Sequence, residues 1–76
     1  MASHRIRSLL AEAFPGDEIG VQDRTGGGDH FQVTVASNRF AGLSLIDQHR
    51  LVNAALAAPL ADGTIHELRI ETKGTA

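Results

Sequence analysis

The chain has 76 residues, of which 42% are hydrophobic, with no cysteine and a formal net charge of −2 at pH 7. A chain of this length forms a single small domain, residues 1–76, whose hydrophobic core alone gives only marginal stability. The lack of cysteine excludes disulfides and sites built from thiolates of this chain, and the acidic balance disfavours a domain that grips phosphate backbones by charge alone.

The first predicted element is an amphipathic helix with Ser3 as its N-cap. Its apolar positions, spaced i, i+3, i+4 and i+7, are Ile6, Leu9, Leu10 and Ala13. Pro15-Gly16 predicts the end of this helix. Ile19 and Val21 then alternate with polar residues or glycine, which predicts a short strand.

A glycine-rich loop, residues 24–29, links this strand to a second one over residues 30–37. In the second strand Phe31, Val33 and Val35 are predicted to face inward, while His30 faces outward. The loop lacks the Lys-Ser/Thr of a nucleotide-binding loop and does not open a helix, so a phosphate cradle is disfavoured. A flexible hairpin loop and a loop that adapts to a metal or a partner both remain open.

The longest predicted helix begins after Ser44, where Asp47 completes a capping-box pattern. Its expected buried face consists of Leu45, Leu51, Val52, Ala55 and Leu56. Pro59 is predicted to interrupt the helix, and Asp62-Gly63 to end it. His49 and Arg50 lie in mid-helix, either on a solvated face or on a surface for nucleic acid.

The closing strand, residues 65–72, carries one histidine near its start. Leu68 and Ile70 share a face by alternation, and His66 is in phase with them. Such a histidine is either a structural residue hydrogen-bonded at the edge of the core or a metal ligand, because a neutral imidazole nitrogen is a good donor to metals.

The predicted topology places two histidines at one edge of the sheet. The strand–helix–strand crossover makes strands two and three parallel, so His30 and His66 both lie at strand starts, beside the glycine-rich loop. Their opposite phases allow them to converge only if the loop end of strand two is twisted or irregular. The expected fold is α+β, a three-stranded mixed sheet with helices packed on one face. The expected core is Phe31, Val33, Val35, Leu9, Leu51, Leu56, Leu68 and Ile70.

The sequence predicts neither a membrane protein nor an enzyme. No segment approaches the ~20 apolar residues of a membrane span, and no apolar run follows the first charges as in a signal peptide, so a cytoplasmic protein is expected. No nucleophile–base pair or spaced carboxylate pair indicates catalysis or a small-molecule substrate.

Three stretches, taken together, resemble the BolA family: residues 28–31, residues 40–52 and residues 65–72. The resemblance covers about Ile6 to Thr72 and implies a fold related to the class II KH fold. It also implies a partnership with monothiol glutaredoxins, in which a 2Fe–2S cluster is shared between the two proteins and delivered onward. Some bacterial members are DNA-binding transcriptional regulators, which is the alternative function.

The resemblance also implies site residues. The histidine of the closing Ile-His motif is the family's cluster ligand and corresponds to His66. The second ligand comes from the loop between the first two strands; Gly28 stands where some members have cysteine, and the donor nearest this loop is His30. The isolated chain is expected to hold no cofactor. For the alternative, weak DNA binding, the implied residues are Arg39, Gly42, Ser44, His49, Arg50 and Lys73.

Overall fold

The computed structural model describes residues 2–74, so residues 1, 75 and 76 of the predicted domain lie outside the described part. The helices are α1 (Ala2–Ala13), α2 (Leu45–Ala55) and α3 (Ala57–Ala61). The strands are β1 (Glu18–Asp23), β2 (His30–Ser37) and β3 (Glu67–Gly74), and a short 3₁₀ helix, Asn38–Phe40, follows β2. This order confirms the predicted α+β fold.

The sheet is mixed, with β2 at its centre. β1 pairs antiparallel with β2, and β3 pairs parallel with β2, with His30 opposite Glu67 at one end and Ser37 opposite Gly74 at the other. The predicted parallel crossover is therefore confirmed. Both histidine-bearing strand starts lie at the same end of the sheet.

The core fills the space between one face of the sheet and the helices. From β2 come Phe31, Val33 and Val35, all fully buried, and the helices add residues from the predicted apolar faces. The complete buried cluster is Ile6, Leu10, Phe14, Phe31, Val33, Val35, Phe40, Val52, Leu56 and Ile65. Four expected core residues, Leu9, Leu51, Leu68 and Ile70, are only partly buried and pack against this cluster.

The ends of two helices differ from the prediction. Ser3 lies inside α1, which already begins at Ala2, a residue type with high helix propensity, so Ser3 is not the N-cap. The long helix breaks at Leu56, three residues before Pro59, because proline has no N–H to donate to the carbonyl four residues earlier. Pro59 instead lies in the first turn of α3, where a missing N–H costs little.

Helix α2 begins as predicted, with the Ser44 hydroxyl accepting the Asp47 N–H at 3.2 Å. The expected burial of Leu45 is wrong: this residue is 61% exposed. Leu45 has the helical phase of Val52 but lies in the first turn, and only the later turns of α2 cover the core.

The start of the closing strand is the main correction. Ile65 is buried and donates its N–H to the Pro59 carbonyl, so the chain is still packing against α3 at the point where a strand was predicted. β3 begins only at Glu67. His66 therefore lies at a bend just before the strand, exposed rather than in phase with Leu68 and Ile70.

Candidate metal centre

The two histidines meet at Asp29, the residue that immediately precedes β2. The Nδ1 atom of His66 lies 3.2 Å from Asp29 Oδ2, and the Nε2 atom of His30 lies 4.0 Å from the same oxygen. His30 and His66 therefore converge as predicted, but not through an irregular start of β2. β2 is regular from His30 onward, and the irregular backbone is the approach to β3 at His66.

The main chain fixes this arrangement. The Asp29 carbonyl accepts the N–H of His66 at 2.8 Å and the N–H of Glu67 at 3.3 Å. These two bonds lie at the point where the parallel pairing of β2 with β3 begins. On the other side of β2, the Arg24 N–H donates to the His30 carbonyl at 2.8 Å. Both histidines are therefore held at their backbones by sheet hydrogen bonds.

Both imidazoles reach the surface. The side chain of His66 is 64% exposed and that of His30 is 36% exposed. His66 is therefore not enclosed by the core, although its contact with Asp29 still allows a structural role. A partner protein can therefore approach both rings.

A second carboxylate, Glu67, approaches the site from the first position of β3. Glu67 Oε2 lies 3.4 Å from His30 Nδ1, while Oε1 lies 3.1 Å from Arg24 Nη1 and 3.7 Å from Arg69 Nε. Two guanidinium groups thus offset the charge of Glu67. The side chains in these contacts are between 31% and 62% exposed, so each contact contributes little to stability.

The glycine-rich loop beside the site is held by a single carboxylate. Asp23 Oδ1 accepts the N–H groups of Thr25 and Gly26 at 3.2 and 2.9 Å, and Oδ2 accepts the N–H of Gly28 at 2.9 Å. Gly28 has φ +78°, a conformation that side-chain-bearing residues rarely adopt. The loop therefore has a defined shape that leads directly into Asp29 and His30.

The possible metal donors at this end of the sheet are two imidazoles and the carboxylates of Asp29 and Glu67. Within residues 2–74, no group of three or more histidine, cysteine, aspartate or glutamate side chains is arranged to hold a metal ion. In number and type, two imidazoles are the donors that bind one iron of a Rieske 2Fe–2S cluster, whose other iron takes two cysteines. The remaining ligands would have to come from elsewhere.

Sequence reasoning did not single out Asp29 or Glu67 as part of the site. The signal lay in the register, because a parallel pairing of His30 with Glu67 places the preceding residues, Asp29 and His66, side by side. Hydrophobic periodicity does not reveal such a contact between side chains.

The residues of the nucleic-acid alternative lie toward the other end of the sheet, or on α2. Gly74, the last residue of β3, approaches Ala41, so the segment around Gly42 lies where β2 and β3 end. Strands of eight residues separate that end from His30 and His66 by roughly 23 Å. The two candidate surfaces are therefore distinct.

Several of these residues have structural roles. Arg39 donates from Nη1 to the Ala13 carbonyl at 2.6 Å, and its guanidinium lies 5.3 Å from the centre of the Phe14 ring. Ser44 caps α2, as described above. The Nε2 atom of His49 is buried with no hydrogen-bond partner among the described residues.

The other basic side chains of that set face solvent. Arg50 is exposed and contacts Asp47 at 3.4 Å, and Lys73 is exposed on β3. Gly42 has φ +80° and turns the chain toward α2. Three exposed apolar side chains, Leu43, Leu45 and Ile46, lie beside this turn.

Among the helices of residues 2–74, none has the length and apolar character to cross a membrane.

Comparisons with known proteins agree with the fold. The family model described as "BolA-like protein" matches residues 10–76. Human BolA-like protein 1 is 40% identical over 78 residues, covering 93% of this chain and 56% of its own length. A Vibrio cholerae protein named "DNA-binding transcriptional regulator BolA" is 54% identical over 50 residues, covering 66% of this chain and 46% of its own length. This chain thus spans about half the length of these two relatives.

A solved structure shows the same architecture. BolA1 from Arabidopsis thaliana superimposes with a TM-score of 0.86 at 30% identity, covering 96% of this chain and 90% of that one. The helix–strand–strand–helix–strand order and the mixed sheet are therefore the shared fold.

Proposed function

The chain belongs to the BolA family, and from that premise we propose that it is an adaptor for iron–sulfur cluster assembly and trafficking. It binds a 2Fe–2S cluster jointly with a monothiol glutaredoxin and hands the cluster on. The observation that carries the proposal is the meeting of His66 and His30 at one exposed carboxylate, Asp29. This arrangement supplies two ligand side chains and leaves room for a second protein.

The residues of this chain bring specific chemistry to such a cluster. Histidine ligation of one iron raises the reduction potential above that of a cluster bound only by cysteine. An imidazole must be neutral to bind a metal, so protonation near neutral pH competes with ligation and suits a cluster that is passed on. The glutaredoxin cysteine and glutathione would complete the ligand set.

The role assigned to this chain is binding and positioning, without catalysis. The relatives described above are named as a BolA-like protein and a transcriptional regulator. We therefore expect the chain to act through its partner, with the cluster as cargo.

The test mixes this chain with a monothiol glutaredoxin that carries a 2Fe–2S cluster, and follows the visible circular dichroism. The wild-type chain should change the cluster spectrum at a one-to-one ratio. His66→Ala should abolish the change, and His30→Ala should weaken it to a lesser extent. His4→Ala, which removes an exposed imidazole from α1, is the matched control and should behave as wild type. A folded His66→Ala variant that still gives the full change would contradict the proposal.

A second candidate function is DNA binding. It is favoured by the Vibrio cholerae relative, whose matched 50 residues are 54% identical and whose name describes a DNA-binding regulator. The exposed Arg50 and Lys73 would contact phosphates, and the turn at Gly42 would approach the backbone. Arg39 is less available, because its guanidinium is bound to the Ala13 carbonyl.

A further inference from the structure

We propose that Asp29 is a positioning residue for His66, whose carboxylate orients the imidazole so that Nε2 is the atom presented to the shared cluster. This inference rests on the proposed function, because it specifies how one ligand of that cluster is prepared.

The first support is the hydrogen bond between the two side chains. Asp29 Oδ2 lies 3.2 Å from His66 Nδ1. An ionised carboxylate can only accept, so Nδ1 must carry the proton, and the lone pair of the neutral ring is then on Nε2. Histidines that bind metals commonly donate their other ring N–H to a carboxylate in this way.

The second support is the way Asp29 itself is held. Its carbonyl accepts the His66 N–H at 2.8 Å, so the two residues are joined through both main chain and side chain. An imidazole that is 64% exposed has little packing to restrict its rotation. The Asp29 carboxylate supplies the restriction that packing does not.

The third support is the contrast with the other carboxylate of the site. Glu67 is paired with the guanidinium groups of Arg24 and Arg69 as well as with His30. Among residues 2–74, the ion-pair contacts of Asp29 are with His30 and His66 alone. The charge of Asp29 is therefore directed at the imidazoles.

The first arm of the test measures the tautomer of His66 in the chain alone, from its imidazole ¹⁵N chemical shifts at pH 9, where histidines are as a rule neutral. Wild type should show the tautomer with the proton on Nδ1. Asp29→Ala should shift His66 toward the Nε2–H tautomer that a solvated ring favours, and Asp29→Asn should give an intermediate result because its amide oxygen still accepts. Glu71→Ala, which removes another exposed carboxylate from β3, should change nothing.

A cross-control separates the two carboxylates. Glu67→Ala should alter the shifts of His30, whose Nδ1 lies 3.4 Å from Glu67, and leave those of His66 unchanged. An unaltered His66 tautomer in Asp29→Ala would overturn the inference, whatever the cluster measurements show.

The second arm measures formation of the mixed cluster with glutaredoxin. Loss of such an outer carboxylate typically lowers metal affinity by about 10- to 100-fold, and Asp29→Ala should weaken the mixed complex by a factor in that range while Glu71→Ala does not. A tautomer shift accompanied by wild-type affinity would overturn the inference. A wild-type chain that takes up no cluster from the glutaredoxin would overturn the proposed function, and with it the inference that Nε2 of His66 is presented to a cluster. The tautomer measurement would still show whether Asp29 orients the His66 ring.

Discussion

His30 and His66 both approach one oxygen atom, Asp29 Oδ2, with His30 Nε2 at 4.0 Å and His66 Nδ1 at 3.2 Å. They reach it from different strands, His30 as the first residue of β2 and His66 from the bend before β3. The parallel pairing of these strands brings the rings together, and the buried Ile65 directs His66 outward. The fold thus places two solvent-accessible imidazoles at one end of the sheet, where the part of the chain that the structure describes forms no metal site by itself.

The contrast between Ile65 and His66 gives the first prediction. Ile65→Ala should lower the free energy of unfolding by about 2–5 kcal/mol, because it leaves a cavity in the core. His66→Ala should lower it by no more than about 1 kcal/mol, since it removes one exposed hydrogen bond. Urea denaturation of both variants measures the difference. A His66→Ala variant as unstable as Ile65→Ala would show that His66 is a structural residue.

The glycine-rich loop depends on Asp23. Asp23→Ala removes the acceptor for the amides of Gly26 and Gly28 and should cost about 1 kcal/mol. Amide hydrogen exchange, followed by NMR, should be faster at both glycines. Gly16, in the turn after α1, serves as the internal reference and should exchange at the wild-type rate. Unchanged exchange at Gly28 would mean that the loop keeps its shape without the carboxylate.

The N-cap of α2, Ser44, is expected to contribute to the stability of the protein. Ser44→Ala should destabilise the protein by about 0.5–2 kcal/mol because the Asp47 N–H loses its acceptor. Ser44→Asp keeps an acceptor at the N-terminus and should stay close to wild type. Thermal unfolding of the two variants distinguishes two roles of Ser44. If Ser44 caps the helix, Ser44→Asp should be the more stable variant. If the position only requires a small residue, Ser44→Ala should be the more stable variant.

The lowered pKa of Asp62 leads us to expect that the free energy of unfolding depends on pH. Its carboxylate accepts from the hydroxyl and N–H of Thr64 at 2.6 and 2.9 Å and from Arg5 at 3.0 Å, and these bonds lower its pKa to about 2. Because the folded pKa lies below the unfolded value of about 4, the stabilisation is present above pH 4 and is lost as pH falls toward 2.

Asp62→Asn removes this titration. The stability difference between wild type and Asp62→Asn should therefore shrink from pH 6 to pH 2, and salt should reduce it because the group is exposed. Denaturation curves across this range provide the measurement, and a difference that is constant with pH would contradict the assignment.

For the DNA-binding alternative, the net charge of −2 predicts weak binding that depends steeply on salt. Fluorescence anisotropy with a labelled duplex should show affinity falling strongly between about 50 and 200 mM salt. Arg50→Ala and Lys73→Ala should each reduce the salt slope by about one. A tight, sequence-specific complex that survives about 200 mM salt would instead favour the regulator function.

Much of the fold followed from local patterns. Strict alternation predicted β2 with the bounds that it has, and the serine cap predicted the start of α2, because both signals depend on neighbouring residues alone. The parallel pairing of β2 and β3 followed from the crossover rule. These predictions required no knowledge of long-range contacts.

The details of the site did not follow from the same patterns. His66 was predicted to share a face with Leu68, but the burial of Ile65 against the core delays the strand and turns His66 outward. The contact of Asp29 with both rings depends on side-chain geometry across two strands. Tertiary packing decided both features.

The most direct test of the central claim asks whether His66 binds iron. The chain is labelled with ¹⁵N-histidine and mixed with an unlabelled, cluster-loaded monothiol glutaredoxin; the cluster is then reduced, and hyperfine couplings are recorded by pulsed electron paramagnetic resonance. A histidine supplied by this chain predicts a strong ¹⁵N coupling that is present in wild type and in His4→Ala and is lost in His66→Ala. A mixed cluster without strong ¹⁵N coupling, or a coupling that persists in His66→Ala, would contradict the account.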